Sequence, residues 1–142
     1  MKIIIIGAGK VGCQIAKTLS SENHDVILIE KDDKIRQSAQ ENLDVFTVLG
    51  NGTNVHTLEK SGIKQADMLI AVTDSDEANI LACMTAKQYN VPKKIARIRN
   101  IEYCLLYTSD AADDMQCVDL GGGRLIKKKR YISRLKPCLL YT

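Results

Sequence analysis

At 142 residues the chain has room for one domain with a real core, but not for a cofactor domain joined to a substrate domain of ordinary size, which argues against a complete dehydrogenase. A composition of 45% hydrophobic and 4% aromatic residues, with no Trp, suits the Ile-, Val- and Leu-rich core of a parallel sheet and shows none of the bias of a disordered chain. The net charge of +3 is no nucleic-acid footprint: residues 1–103 carry thirteen basic and thirteen acidic side chains, whereas residues 104–142 carry seven and four, chiefly through Lys127-Lys128-Lys129-Arg130.

The opening Lys2-Ile3-Ile4-Ile5-Ile6 turns glycine-rich at once, so it reads as a buried strand rather than a signal peptide. No apolar run approaches the roughly 20 residues of a membrane span, so no direct membrane insertion is expected. Further strands are predicted from Asp25 to Glu30, Val45 to Leu49, Met68 to Val72 and Lys94 to Arg99. Helical stretches run from Lys10 to Ser20, Asp33 to Glu41, Val55 to Ser61 and Asp76 to Tyr89. This alternation with short loops predicts an α/β fold, a doubly wound, Rossmann-like parallel sheet with right-handed crossovers, over residues 1–103. Asn23 and Gly62 are placed to close the first and third helices in the left-handed region. Asp74 and Glu77 have capping-box spacing before the fourth, and Pro92 follows its end.

After Tyr103 the alternation stops. Cys104-Leu105-Leu106-Tyr107-Thr108 recurs unchanged as Cys138-Leu139-Leu140-Tyr141-Thr142, across an acidic patch, three glycines and the basic run. Two copies do not make a solenoid. An unchanged repeat around low-complexity sequence resembles translated sequencing adapter, so residues 104–142 are expected to be an irregular, non-native read-through tail that packs poorly and adds no strand to the sheet; the alternative is a genuine basic tail. The five cysteines contain no CxxC pair, which indicates neither a disulfide framework nor a zinc site and fits reduced thiols in a cytoplasm.

Gly7-Ala8-Gly9-Lys10-Val11-Gly12 is a GxGxxG run that follows a strand and opens a helix, and Glu30 ends the next strand eighteen residues later. In that context each glycine has a task. Gly7 allows a tight turn, Gly9 lets backbone approach a pyrophosphate, and Gly12 lets the helix press on the strand. Phosphates would meet amide N–H groups at the positive end of the helix dipole. Glu30 can accept from both ribose hydroxyls and would repel a 2′-phosphate, which favours NAD(H) over its phosphorylated form. Lys10 could pair with a second or third phosphate, which keeps ATP or ADP open as well. Gly50-Asn51-Gly52-Thr53 lies at the carboxyl edge of the sheet, where a loop passing an adenine wants small residues and a plain turn does too. His24 and His56 have no Ser, Cys or Asp at telling spacing, and Cys13 and Cys83 sit among small apolar residues. Surface histidines and buried thiols are expected, and no catalytic or metal-binding residue is assigned.

The glycine loop, Glu30-Lys31-Asp32, Gly50 to Thr53, the block Ala66 to Asn79 around Val72-Thr73-Asp74-Ser75-Asp76-Glu77, and Ala96-Arg97-Ile98-Arg99-Asn100 occur in that order. Together they resemble the N-terminal nucleotide-binding half of the RCK (or KTN) domain in the TrkA family of Trk potassium-uptake regulators, over residues 1 to about 103. The resemblance implies a cytoplasmic regulatory subunit that binds NAD(H) or ATP/ADP, gates a membrane potassium transporter at its inner face, and assembles as homo-oligomeric dimers and rings. It also implies that Gly7 to Gly12 hold the phosphates, Glu30 the ribose, Asn51, Gly52, Thr53, Thr73 and Asp74 the base side, and Arg97 the terminal phosphates, with Lys31 counted among the cofactor-binding residues. The family pattern continues beyond Glu102-Tyr103 with a helix, a strand and a ligand-binding lobe, none of which is visible in this sequence. An NAD-dependent oxidoreductase fragment without its substrate domain and a non-binding structural domain are the alternatives. The first would need an acid/base residue facing a nicotinamide, and the second would have no use for bare glycines aimed at a cleft.

Overall fold

Four isoleucines in a row leave no polar face for water, so the first strand, β1 (Lys2–Ile6), has to lie mid-sheet and be covered on both sides. In the computed structural model, which describes residues 1–100, 102–103, 115–119 and 124–125, Ile3, Ile4 and Ile5 are fully buried. The chain continues through α1 (Lys10–Ser21), β2 (Asp25–Glu30), α2 (Asp33–Asn42), β3 (Phe46–Leu49) and α3 (Val55–Lys60). After a 3-10 turn (Ile63–Gln65) come β4 (Met68–Ala71), α4 (Asp76–Gln88), β5 (Lys93–Arg97), β6 (Met115–Asp119) and β7 (Arg124–Leu125). The sheet order is β3-β2-β1-β4-β5-β6-β7, with every pair parallel except the last.

The alternation of side chains along β1 divides the core in two. Ile3 and Ile5 pack with Ile15, Leu19, Leu28 and Ala39 beneath α1 and α2. Ile4 and Ile6 pack with Ile29, Leu58, Ile80 and Ala86 beneath α3 and α4. Each fully buried Ile or Leu contributes about 1.5–3 kcal/mol by leaving water. Because the chain leaves β1 towards β2 and later returns to its other side as β4, the loops after β1 and β4 diverge and open a crevice at the carboxyl edge.

The nine expected strands and helices of the body are all present, the first two strands with the expected bounds and the others with ends shifted by no more than two residues. β5 stops at Arg97 rather than running to Arg99, since the N–H groups of Arg99 and Asn100 donate to the Asp76 carboxylate at 3.0 and 2.8 Å instead of to a strand. Asn23 (φ 63°) and Gly62 (φ 80°) do take left-handed conformations. The capping box does not form as expected: Ser75, not Asp74, caps α4, accepting from Ala78 N–H at 3.2 Å, while Asp74 turns towards Arg97 and Arg99.

A larger correction concerns the region after Tyr103. β6 pairs in parallel with β5, Lys94 opposite Met115 through Arg97 opposite Val118, so a strand does continue the sheet. The reason is the edge itself: β5 without a neighbour exposes a row of backbone N–H and C=O groups, and a short extended segment satisfies them whatever its side chains. The remainder of residues 104–142, including both copies of the repeat, lies outside the described residues. Among the described residues no helix is long and apolar enough to cross a membrane.

Candidate nucleotide-binding site

The site residues expected from the sequence all lie at the carboxyl edge of β1 to β5, at strand ends, in the loops that follow and in the first turn of α1. Gly7 has φ +103°, and a Cβ there would stand 3.1 Å from the Val72 carbonyl and 3.2 Å from the Thr73 nitrogen, so the turn out of β1 admits glycine alone. At Gly12 a Cβ would run into the Gly7 carbonyl, so α1 rests directly on the loop. Gly9 differs: it is exposed, and a Cβ would meet nothing within 4 Å. Open space therefore lies in front of the middle glycine.

Gly9 is also the N-cap of α1 and brings no capping side chain. The other three helices are capped by Asp32, Asn54 and Ser75, each accepting from amides of its own first turn. The first amides of α1 are left facing the crevice with the positive end of the helix dipole behind them, an arrangement that suits an anion. Ala8 is buried below, Val11 packs against the core, and Lys10 is exposed at the rim.

Glu30 ends β2 half-buried, and its carboxylate joins two loops. One oxygen accepts from Ala8 N–H at 2.8 Å and the other from Asp32 N–H at 3.0 Å. Each oxygen keeps lone-pair capacity for a ribose hydroxyl. The neighbouring Lys31 is exposed. Burial, and after it the Glu30 charge, push the Cys13 thiol above its ordinary range; its Sγ donates to the Ala8 carbonyl at 3.2 Å.

In the loop after β3, Asn51 Oδ1 accepts from Thr53 N–H at 3.0 Å and Thr53 Oγ1 at 2.9 Å, which holds that loop as a tight turn. Gly52 is buried within it because a Cβ would strike the Ile6 side chain at the end of β1. Asp74 is 96% exposed and stands 4.0 Å from Arg97 and 3.4 Å from Arg99, while the Arg97 side chain is 16% exposed. Thr73 donates through its N–H and its hydroxyl to Asn79 Oδ1 at 2.9 and 2.7 Å. Sequence reasoning quoted Asn79 without giving it a role. The signal was there: Asn79, Ala82, Cys83 and Ala86 form the buried i, i+3, i+4, i+7 stripe of α4, and one member is polar.

The remaining candidates stand apart from the crevice. His24 contacts the terminal amine and Glu22, His56 is exposed, and Cys83 is buried so completely that its thiol is pushed up to about 12.

A doubly wound parallel sheet, a glycine turn opening an uncapped helix, and an acid at the end of the second strand together define a Rossmann-like domain of the nucleotide-binding class. Within that class the TrkA-N domain model matches residues 3–117, and the chain belongs to that family. It is 42% identical over 103 residues to a Trk system potassium uptake protein TrkA homolog of Methanothermobacter thermautotrophicus, covering 72% of this chain and 48% of that protein. It is 47% identical over 104 residues to the Trk system potassium uptake protein TrkA of Azorhizobium caulinodans, covering 72% of this chain and 23% of that one. The chain thus spans half or less of the length of these relatives. Among solved structures, the TrkA-N domain of the Escherichia coli inner membrane protein ybaL superposes with a TM-score of 0.71 at 21% identity, over 94% of this chain and 92% of that one. The GsuK channel bound to NAD gives 0.70 at 22% identity, over 80% of this chain and 21% of that chain. The same channel bound to ADP gives 0.71 at 23%, over 86% and 32%.

Proposed function

We propose that this chain is the nucleotide-sensing half of a cytoplasmic regulatory subunit that binds NAD(H) or ATP/ADP and gates a membrane potassium-uptake transporter, working as a homo-oligomer. The observation that carries the reading is the open space at Gly9 before the one helix among α1 to α4 that lacks a side-chain cap. A phosphate there accepts from helix amides that no side chain among the described residues caps.

In this reading Gly7, Ala8, Gly9, Lys10, Val11 and Gly12 cradle the phosphates, and Glu30 beside Lys31 takes the ribose. Asn51, Gly52, Thr53, Thr73 and Asp74 border the base, and Arg97 faces the terminal phosphate. The bound nucleotide supplies charge and shape rather than chemistry, so the protein senses it and transforms nothing. Support comes from TrkA-N membership, from relatives named as potassium uptake proteins, and from a channel of the same fold bound to NAD and to ADP. Calorimetric titration of the chain with NADH, NAD, ATP and ADP tests it. Saturable binding of at least one is expected, and no binding of any of the four overturns it.

A further inference from the structure

The sensing reading leaves one feature unused. Asn79 is fully buried, and its amide makes four hydrogen bonds, to Thr73 in the loop after β4 and to Arg97 at the end of β5. Its Oδ1 accepts from the N–H and hydroxyl of Thr73, while its Nδ2 donates to the Thr73 carbonyl at 3.1 Å and to the Arg97 carbonyl at 2.8 Å. All the hydrogen-bonding capacity of the amide is therefore engaged. A buried amide in an otherwise apolar helix stripe costs stability unless its bonds are made, and here every one goes to the carboxyl edge of the sheet.

The contacts form a continuous chain. The turn at Gly7 passes so near the Val72 carbonyl and the Thr73 nitrogen that a Cβ there would crowd them, Thr73 is held by Asn79, and Asn79 holds the backbone of Arg97. We infer that Asn79 is the positioning residue of the site: it fixes Arg97 relative to the phosphate loop, and so makes the site read the second phosphate of an adenosine diphosphate group. That group is shared by NAD(H), ADP and ATP. The inference rests on the nucleotide reading given above. Beyond the last ladder pair, Ala71 with Ala96, Asn79 is the buried link between the ends of β4 and β5; Asp76, which accepts from the Arg99 and Asn100 N–H groups, and the contacts of Asp74 with Arg97 and Arg99 lie at the exposed rim, where ion pairs hold little.

The test measures ADP and AMP affinity by calorimetry on the whole chain, in the wild type, R97A, N79A and N79D, with circular dichroism confirming the fold at the working temperature. The wild type is expected to bind ADP at least tenfold more tightly than AMP, and R97A to lose most of that ratio. N79D keeps an acceptor for both Thr73 donors but removes the amide donors facing the Arg97 and Thr73 carbonyls. It is expected to retain AMP affinity within about threefold while its ADP-to-AMP ratio falls towards one. N79A, which also releases Thr73, is expected to weaken both ligands. A merely structural asparagine would lower the melting temperature and leave the ratio intact. That result in whichever Asn79 variant folds overturns the inference, as does a wild type that binds both ligands equally. A wild type that binds neither ligand, nor NADH, defeats the nucleotide reading itself, and that outcome is visible before any variant is made.

Discussion

The loops that follow β1 and β4 face each other across the same crevice and are built in opposite ways. The first is stripped down: bare glycines, an uncapped helix and amides left to the crevice. The second is filled in, with Thr73, Ser75 and Asn79 consuming one another's donors and acceptors. A site needs both kinds of wall. An empty wall gives a ligand somewhere to bond, and a self-satisfied wall stays in place while it does so.

The largest expected effect comes from forcing the empty wall to carry a side chain where it touches protein. G12V drives a branched side chain into the Gly7 carbonyl and should cost about 3 kcal/mol of stability, the upper end for overpacking. Thermal melting reads it, and an unchanged midpoint would show that α1 can lift off the loop. G9V adds a side chain where the structure holds nothing, so the fold should persist while nucleotide affinity drops at least tenfold, about 1.4 kcal/mol. Unchanged affinity in calorimetry would remove phosphate from that place. A smaller change is expected at the ribose. E30A should narrow, by several-fold, the preference for NADH over NADPH, because in the proposed role the carboxylate accepts from ribose hydroxyls and repels a 2′-phosphate. Equal binding of the two by the wild type would end that role. The smallest effect concerns the far side of β5, where we propose that residues 104–142 contribute little to either wall. Scrambling them within the whole chain should leave affinity and melting temperature unchanged, whereas a clear loss would show that β6 belongs to the working domain.

Much of the empty wall was legible in the sequence, because glycine spacing after an isoleucine strand is a local signal and its physical cause lies within a few residues. Strand and helix order followed from hydrophobic period in the same way, since Ile3 to Ile6 and Val26 to Ile29 carry their burial in their composition. The filled wall was not legible. Ser75 and Asp74 are both good caps in isolation, and the choice between them was settled by Arg97 and Arg99 arriving from a strand more than twenty residues away. Asn79 was missed for a related reason: three of its four bonds are with backbone groups of Thr73 and Arg97, and backbone leaves no mark in a sequence. β6 escaped notice because edge pairing answers to the neighbour's unpaired amides rather than to the incoming side chains.

Under the proposed function, the uncapped start of α1 ties ligand occupancy to the integrity of the helix itself. A phosphate lodged there becomes a cap supplied from outside, and it is present only in the folded state. At a hundred times its dissociation constant such a ligand adds about 2.7 kcal/mol to the folded domain by mass action. Hydrogen exchange should register this first at the amides of Lys10, Val11 and Gly12, which would fray freely without ligand and slow together as the nucleotide concentration rises. The domain would then report nucleotide supply as the stiffness of one helical turn.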